Sequence, residues 1–230
     1  MMRPARILPL VGLLLAAPAL RAEARPVNSE AQLWYSVFAQ GPIARPFLYY
    51  LEAQPRFGEN DTRLILRPAL GLALTPDLSL WLGQAWIPVW AYDAEPALRG
   101  GESRLFQQLL YTPAAGSLRF TVRARLEQRF LPGTTEVAHR ARLFLRGARP
   151  LGEGLPSLIL WDEAFFHLNS VEGGPRTGFD QNRAFLGAGW KLSPHTTLEV
   201  GYLNVFTRRP AEEADQMIHA PYVFTVFNFL

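Results

Sequence analysis

Along most of the chain apolar residues recur at every second position, the spacing that sets successive side chains on opposite faces of a β-strand. In "RLILRPALGLAL" Leu64, Leu66, Leu70, Leu72 and Leu74 alternate with Arg63, Ile65, Arg67, Ala69, Gly71 and Ala73. In "ESRLFQQLLY" Leu105, Leu109 and Tyr111 face away from Glu102, Arg104 and Gln108, and in "FLYYLEAQPRF" Phe47, Tyr49, Leu51 and Ala53 oppose Glu52, Gln54 and Arg56. "HRARLFLR" and "QNRAFLGAGWK" repeat the pattern, with Arg140, Arg142, Arg146, Arg183 and Lys191 on the polar side. Proline- and glycine-bearing turns at 74–79, 112–117 and 192–197 separate these runs, and longer polar segments at 91–103, 169–180 and 207–217 alternate with them. The pattern describes an antiparallel up-and-down meander with tight turns at one end and longer loops at the other. Eleven strand candidates begin near residues 31, 46, 62, 78, 102, 117, 137, 157, 181, 196 and 219.

The stretch "LRFTVRARLEQRF" separates two ways of folding such strands. Leu118, Phe120, Val122, Ala124 and Leu126 share one face; Arg119, Thr121, Arg123, Arg125, Glu127 and Arg129 share the other. A soluble β-sandwich would usually mix lysine, threonine, serine and glutamate on its polar face, yet Lys191 is the only lysine here. The opposite face would leave a large apolar patch in water. A transmembrane β-barrel accounts for both, with leucine and aromatic rings on lipid and guanidinium groups in the lumen. An arginine at the lipid-facing midplane costs about 2–4 kcal/mol, which fixes the register. Aromatic residues near strand ends (Trp34, Tyr35, Tyr49, Tyr50, Trp86, Trp90, Tyr92, Trp190, Tyr202, Tyr222) are expected to form interfacial girdles. Since a single-chain bacterial barrel ordinarily has an even strand count, twelve strands are expected, with ten as the alternative.

The first 24 residues read as a secretory signal. Arg3 and Arg6 precede an apolar run from Ile7 to Leu20 and the small-residue site Ala22-Glu23-Ala24. That run is shorter than the roughly 20 residues a spanning helix needs. Cleavage is expected after Ala24, with Ala22 as the alternative, leaving residues 25–230 as one barrel domain. Removal would leave 20 basic and 19 acidic residues, so the formal +3 of the whole chain is no argument for nucleic-acid binding. The chain has no cysteine, which excludes disulfides, metal-thiolate sites and thiol nucleophiles.

The segments "WDEAFFHLN", "FDQNRAFLGAGWKL" and "TLEVGYLNVF", preceded by "RLFQQL" and "VRARLEQRF", resemble the domain-of-unknown-function family 2490 in the order that family shows them. The resemblance covers nearly all of the chain after the signal. It implies a β-barrel in the outer membrane of a Gram-negative bacterium and no activity; the barrel is expected to be monomeric and porin-like. Outer-membrane lipid and the barrel-assembly machinery, reading the C-terminal strand, are the partners expected of such a protein. The chain departs from the usual terminal aromatic by ending "VFNFL", with Phe229 one residue short of the end.

The expected lumen lining comprises Arg63, Arg67, Arg104, Arg119, Arg123, Arg125, Glu127, Arg129, Arg140, Arg142, Glu163, Arg183 and Glu199, together with Arg56, Arg146, Lys191, Glu52 and Glu102. Two readings follow. Arginine forks and carboxylates on neighbouring strands could close the lumen with ion pairs. Alternatively, the basic excess could form a narrow channel or binding wall for small anionic solutes. His167, Asn169, Asp180 and Asn182 are expected to make a network at a barrel mouth, with Asp180 holding an arginine. An outer-membrane lipid hydrolase built on His167, with Ser170 nearby, is the remaining alternative; the serine–histidine–polar spacing of such an enzyme is not visible, and no catalytic residue is assigned. Asp180, Asn182 and Glu172 offer too few oxygens for calcium, and "EGGPRTG" lacks the lysine and strand-to-helix context of a phosphate loop. No metal or cofactor is expected.

Overall fold

The computed structural model describes residues 25–93, 98–210 and 213–230, without the Arg99 side chain. The expected signal at 1–24 lies outside the described residues. Thirteen strands form a single sheet: β1 (Val27–Ala31), β2 (Leu33–Ala44), β3 (Phe47–Phe57), β4 (Asp61–Ala73), β5 (Leu78–Ala91), β6 (Leu98–Tyr111), β7 (Ala114–Ala115), β8 (Leu118–Phe130), β9 (Val137–Pro150), β10 (Ser157–His167), β11 (Gly178–Lys191), β12 (Thr196–Thr207) and β13 (Asp215–Asn228). Each wall strand pairs antiparallel with its sequence neighbour, β6 with β8 across the short β7, and the sheet closes on itself where β13 pairs with β2. Closure gives each of the eleven wall strands a neighbour on both sides, the device that satisfies their backbone groups, whereas β1 and the two-residue β7 are paired on one side.

The wall has eleven strands where twelve were expected. The reason lies in the seam. Along a meander strand direction alternates, so the first and eleventh strands run the same way and must close in parallel. β13 accordingly pairs in parallel with both β1 and β2 at one constant register, from Val27↔Asp215 through Trp34↔Tyr222 to Gln40↔Asn228. β1 and β2 are therefore one edge interrupted at Gln32, whose backbone N–H still reaches the His219 carbonyl at 3.1 Å. An even count is required only when both chain ends meet at the same end of the barrel; here they leave at opposite ends.

Burial follows the alternation. On β10 Ile159, Trp161, Glu163 and Phe165 are buried, while Leu158, Leu160 and Phe166 between them are exposed on the outer surface. The interior is filled in two sectors. Toward β10–β13 and β2, apolar and aromatic side chains pack around Trp161, which stacks on Phe185 at 5.2 Å and meets Tyr222 and Phe224 edge-on. Gly187 and Gly201 face each other across β11 and β12, and the Phe185 ring lies over both; a Cβ at Gly201 would come within 2.3 Å of the Leu186 carbonyl. The β3–β10 sector holds the charged side chains, with smaller apolar clusters around Trp81 and Phe106 and around Ile65 and Ile87 on β3–β6.

The aromatic girdle is only partly as expected. Trp86, Tyr92, Trp190 and Tyr202 are exposed on the outer face. Trp34 and Tyr222 are buried inside, since they share the parity of Ser36 and Phe224, and Tyr50 likewise packs inward against Trp81.

Candidate functional site

The inward charges form a connected network on β6 and β8–β11, flanked by two separate pairs, Glu52–Arg67 on β3 and β4 and Arg146–Glu199 on β9 and β12. Glu127 is its centre, 1% exposed, with Arg140 and Arg142 at 2.6 Å each, Arg125 at 3.7 Å and Arg104 at 3.9 Å. Arg142 continues to Glu163 at 2.7 Å, which Arg123 reaches at the same distance from β8. Glu102 takes Arg104 and Arg129 at 2.6 and 2.5 Å, Glu52 pairs with Arg67, and Glu199 on β12 takes Arg146 from β9 at 2.7 Å. The Phe165 ring, fully buried, lies beneath the guanidinium groups of Arg140, Arg142 and Arg183. Arg125 rests on Phe106 and donates twice to Gln108 Oε1, at 2.9 and 2.5 Å. In so enclosed a space Glu102, Glu127 and Glu163 are stable as carboxylates because two or more guanidinium forks meet each, while Glu52 and Glu199 meet one apiece.

Two inward arginines find none. Arg56 on β3 and Arg183 on β11 make no ion pair among the described residues. Arg56 donates through Nε and Nη2 to Gln54 Oε1, and Arg183 through Nε to Gln181 Oε1 at 2.8 Å. Both guanidinium groups lie over the Trp34 ring, at 3.7 and 5.2 Å from its centroid, a cation–π arrangement that stabilises the cation without neutralising it. The buried nitrogens without partners are Arg67 Nε, Arg123 Nε, Arg125 Nη1 and His167 Nδ1. The remaining N–H groups of Arg56 and Arg183 are not among them and open onto accessible space.

Of the residues expected to line the lumen, Arg67, Arg104, Arg123, Arg125, Glu127, Arg129, Arg140, Arg142, Glu163, Arg183 and Glu199 all join the interior. Arg63 and Arg119 have the inward parity but sit at strand ends. Arg63 is half exposed and pairs with Asp61 at 2.9 Å, and Arg119 is exposed. Lys191 is likewise exposed at the last position of β11. The expected basic excess is therefore smaller inside: ten arginines (56, 67, 104, 123, 125, 129, 140, 142, 146 and 183) face six carboxylates (Glu52, Glu102, Glu127, Glu163, Asp180 and Glu199).

Of the four residues expected at the mouth, the structure brings His167 and Asp180 together and places Asn169 on the adjoining loop, in contact with neither. Asp180 accepts from Arg140 at 2.8 Å and lies 3.3 Å from His167 Nε2. Asn169 pins the neighbouring loop, accepting from the His139 N–H at 2.7 Å and donating to the Val137 carbonyl at 3.0 Å. Asn182 faces away, because a β-bulge intervenes: Phe165 pairs with Gln181 but Phe166 with Phe179, leaving Asp180 as the extra residue. Asp180 turns inward, and Asn182 turns outward to donate to both oxygens of Asp162 at 2.9 and 3.0 Å. Asp162 was not singled out from sequence, Trp34 was expected in the outer girdle, and Gln54 and Gln108 were placed on the polar face without a site role. For Asp162 the signal was available, because it breaks the apolar parity of Leu158, Leu160, Ala164 and Phe166.

The family model described as "Protein of unknown function (DUF2490)" matches residues 31–217. The chain belongs to this family. An uncharacterized protein of Methylorubrum extorquens is 36% identical to this DUF2490 protein over 220 residues, 92% of each chain. Among solved structures, the NanC porin superposes with a TM-score of 0.50 at 11% identity, covering 85% of this chain and 97% of the porin. LpxR from Salmonella typhimurium gives a TM-score of 0.48 at 9% identity, covering 78% and 83%. The likeness to the porin concerns the fold: the DUF2490 chain is a closed barrel resembling those of outer-membrane proteins.

Proposed function

We propose that this protein is an outer-membrane β-barrel, exported by its N-terminal signal and assembled through its C-terminal strand, whose interior binds small anionic solutes at Arg56 and Arg183. The carrying observation is the pair of inward guanidinium groups, unmatched by carboxylate, that share the Trp34 ring. Everywhere else inside, arginine meets carboxylate or, at Arg125, a glutamine beside Glu127. A bidentate anion would supply the acceptors these two forks lack. Saturation of the rest of the interior favours a binding wall over a continuous channel. It equally supports the second reading, a closed structural barrel stiffened by ion pairs.

The two readings part in a titration. Inorganic phosphate added to the detergent-solubilised barrel should change Trp34 fluorescence saturably, and planar-bilayer recordings should show at most a small, anion-selective conductance. Arg56→Gln with Arg183→Gln should weaken phosphate binding by at least about tenfold, since each lost charge-assisted contact is worth about 1.5–3 kcal/mol. Phosphate binding that is absent, or unchanged in the double variant, overturns the anion reading and leaves the structural barrel.

A further inference from the structure

The outer wall carries polar side chains of two kinds. Some satisfy each other: Gln107 and Gln128 exchange amide hydrogen bonds at 3.1 and 3.2 Å, and Gln84 donates to Ser103 at 3.3 Å. Of the others, Asp162, Asn182, Asn204 and His219 lie on β10–β13. Asp162 lies in the middle of β10 on the outward parity; the other outward-parity carboxylate among the described residues, Asp215, sits at the first position of β13 and pairs with Arg25 at 3.3 Å. Asp162 accepts from a single side chain, Asn182. The register sets Asp162 beside Ala184, Ala184 beside Asn204, and Asn204 beside His219, one row across four adjacent strands. Asn204 has no side-chain partner among the described residues, and His219 uses only Nδ1, on the Tyr202 hydroxyl.

Below this row the wall is hollowed. A groove of about 500 Å³ runs over β8–β12, with Phe120, Leu145, Leu160 and Leu186 as its sides and Gly147 and Ala184 as its floor. A Cβ at Gly147 would meet nothing within 4 Å, so the depression exists because that residue carries no side chain. The volume lies within the usual range of about 300–1,000 Å³ for small-molecule sites. A carboxylate facing hydrocarbon without a cation is costly, and the neutral Asn182 amide supplies only two of the several hydrogen bonds it can accept. Asp162 also lies too far from either strand end to reach an ordinary head group. Donors must therefore be carried below the head group, near the start of an acyl chain.

We propose that Asp162, Asn204 and His219 form a lipid-binding site on the outside of the barrel, taking an amphiphile with amide N–H or hydroxyl donors next to its acyl chains and laying one chain in the groove over Gly147. The site rests on the reading of this wall as membrane-facing, and it is independent of the anion site inside.

Native mass spectrometry of the full barrel, released from detergent micelles containing equal amounts of ceramide and of a diacylglycerol with matched chains, tests it. Ceramide carries an amide N–H and a second hydroxyl beside its chains, where diacylglycerol has a single hydroxyl. Ceramide should be retained about tenfold over diacylglycerol, the ratio that one added charge-assisted hydrogen bond supports. Asp162→Leu should abolish that preference, and Gly147→Leu should lower retention of both lipids. Each variant should keep the wild-type heat-modifiable gel shift. Asn204→Ala supplies a second reading of the polar row should Gly147→Leu fail to fold. Equal retention of both probes by the wild type, or a preference that survives Asp162→Leu, overturns the site. Retention of no lipid of any kind overturns the membrane reading instead. A shift from dimer to monomer in Asp162→Leu assigns this face to a second copy of the chain and also overturns it.

Discussion

Glu127→Gln is expected to lower the unfolding free energy of the barrel by about 3 kcal/mol or more, within the range of about 3–5 kcal/mol found when one partner of a buried ion pair is removed. The substitution keeps size and shape and removes only charge, so packing loss cannot account for the effect. Glu127 is buried with Arg140 and Arg142 at 2.6 Å, and Arg104 and Arg125 lie within 4 Å. Arg140 keeps Asp180 and Arg142 keeps Glu163, which holds the cost toward the lower end of that range. Glu199→Gln is the internal comparison. Its only arginine, Arg146, has a side chain 21% exposed, so solvent screens the pair and the expected loss is about 1 kcal/mol or less. Urea titration of the two variants refolded in the same lipid, followed by the heat-modifiable gel shift, measures the difference. Equal midpoints for the two would mean that the network is not organised around Glu127.

The faces of the wall were legible in the sequence because a period of two is a local property. Arg123, Arg125, Glu127 and Arg129 point inward as their alternation requires, and the eleven strand starts read from turns and periodicity all fall within four residues of the observed ones. The seam was not legible. Pairing of Trp34 with Tyr222 joins residues 188 positions apart, and no local pattern reports whether such a pair runs parallel. Rounding eleven to an even count applied a rule about chain ends to a chain whose ends leave at opposite sides. The bulge at Asp180 was invisible for a related reason. In sequence Asp180 and Asn182 have the same parity, and only the shift against Phe165 and Phe166 sends them to opposite faces. The candidate anion site was half legible. Both arginines had the inward parity, but that they share one tryptophan depends on barrel closure, which brings β3, β11 and β2 around the same ring.

The outer belt decides between a membrane wall and a surface in water. Leu143, in the middle of β9, is 58% exposed. Leu143→Arg should cost about 2–4 kcal/mol in a phospholipid bilayer, the depth-dependent penalty for arginine on the lipid face near the midplane. On a water-facing wall the same change should stay within about 0.5 kcal/mol. The wild-type chain already contains the shallow end of this comparison. Arg149 shares the outward parity of Leu143 and lies one residue from the end of β9, where the penalty falls to about 0–1 kcal/mol. Between them Leu145 and Gly147 are uncharged, so arginine occurs on this face only at the rim. Arginine placed in turn at 143, 145 and 147 should therefore destabilise by decreasing amounts toward 149, read as urea midpoints in bilayers of fixed thickness. A flat series would place the leucine face in water, and with it would go both the outward lipid site and the reason for an arginine-lined interior.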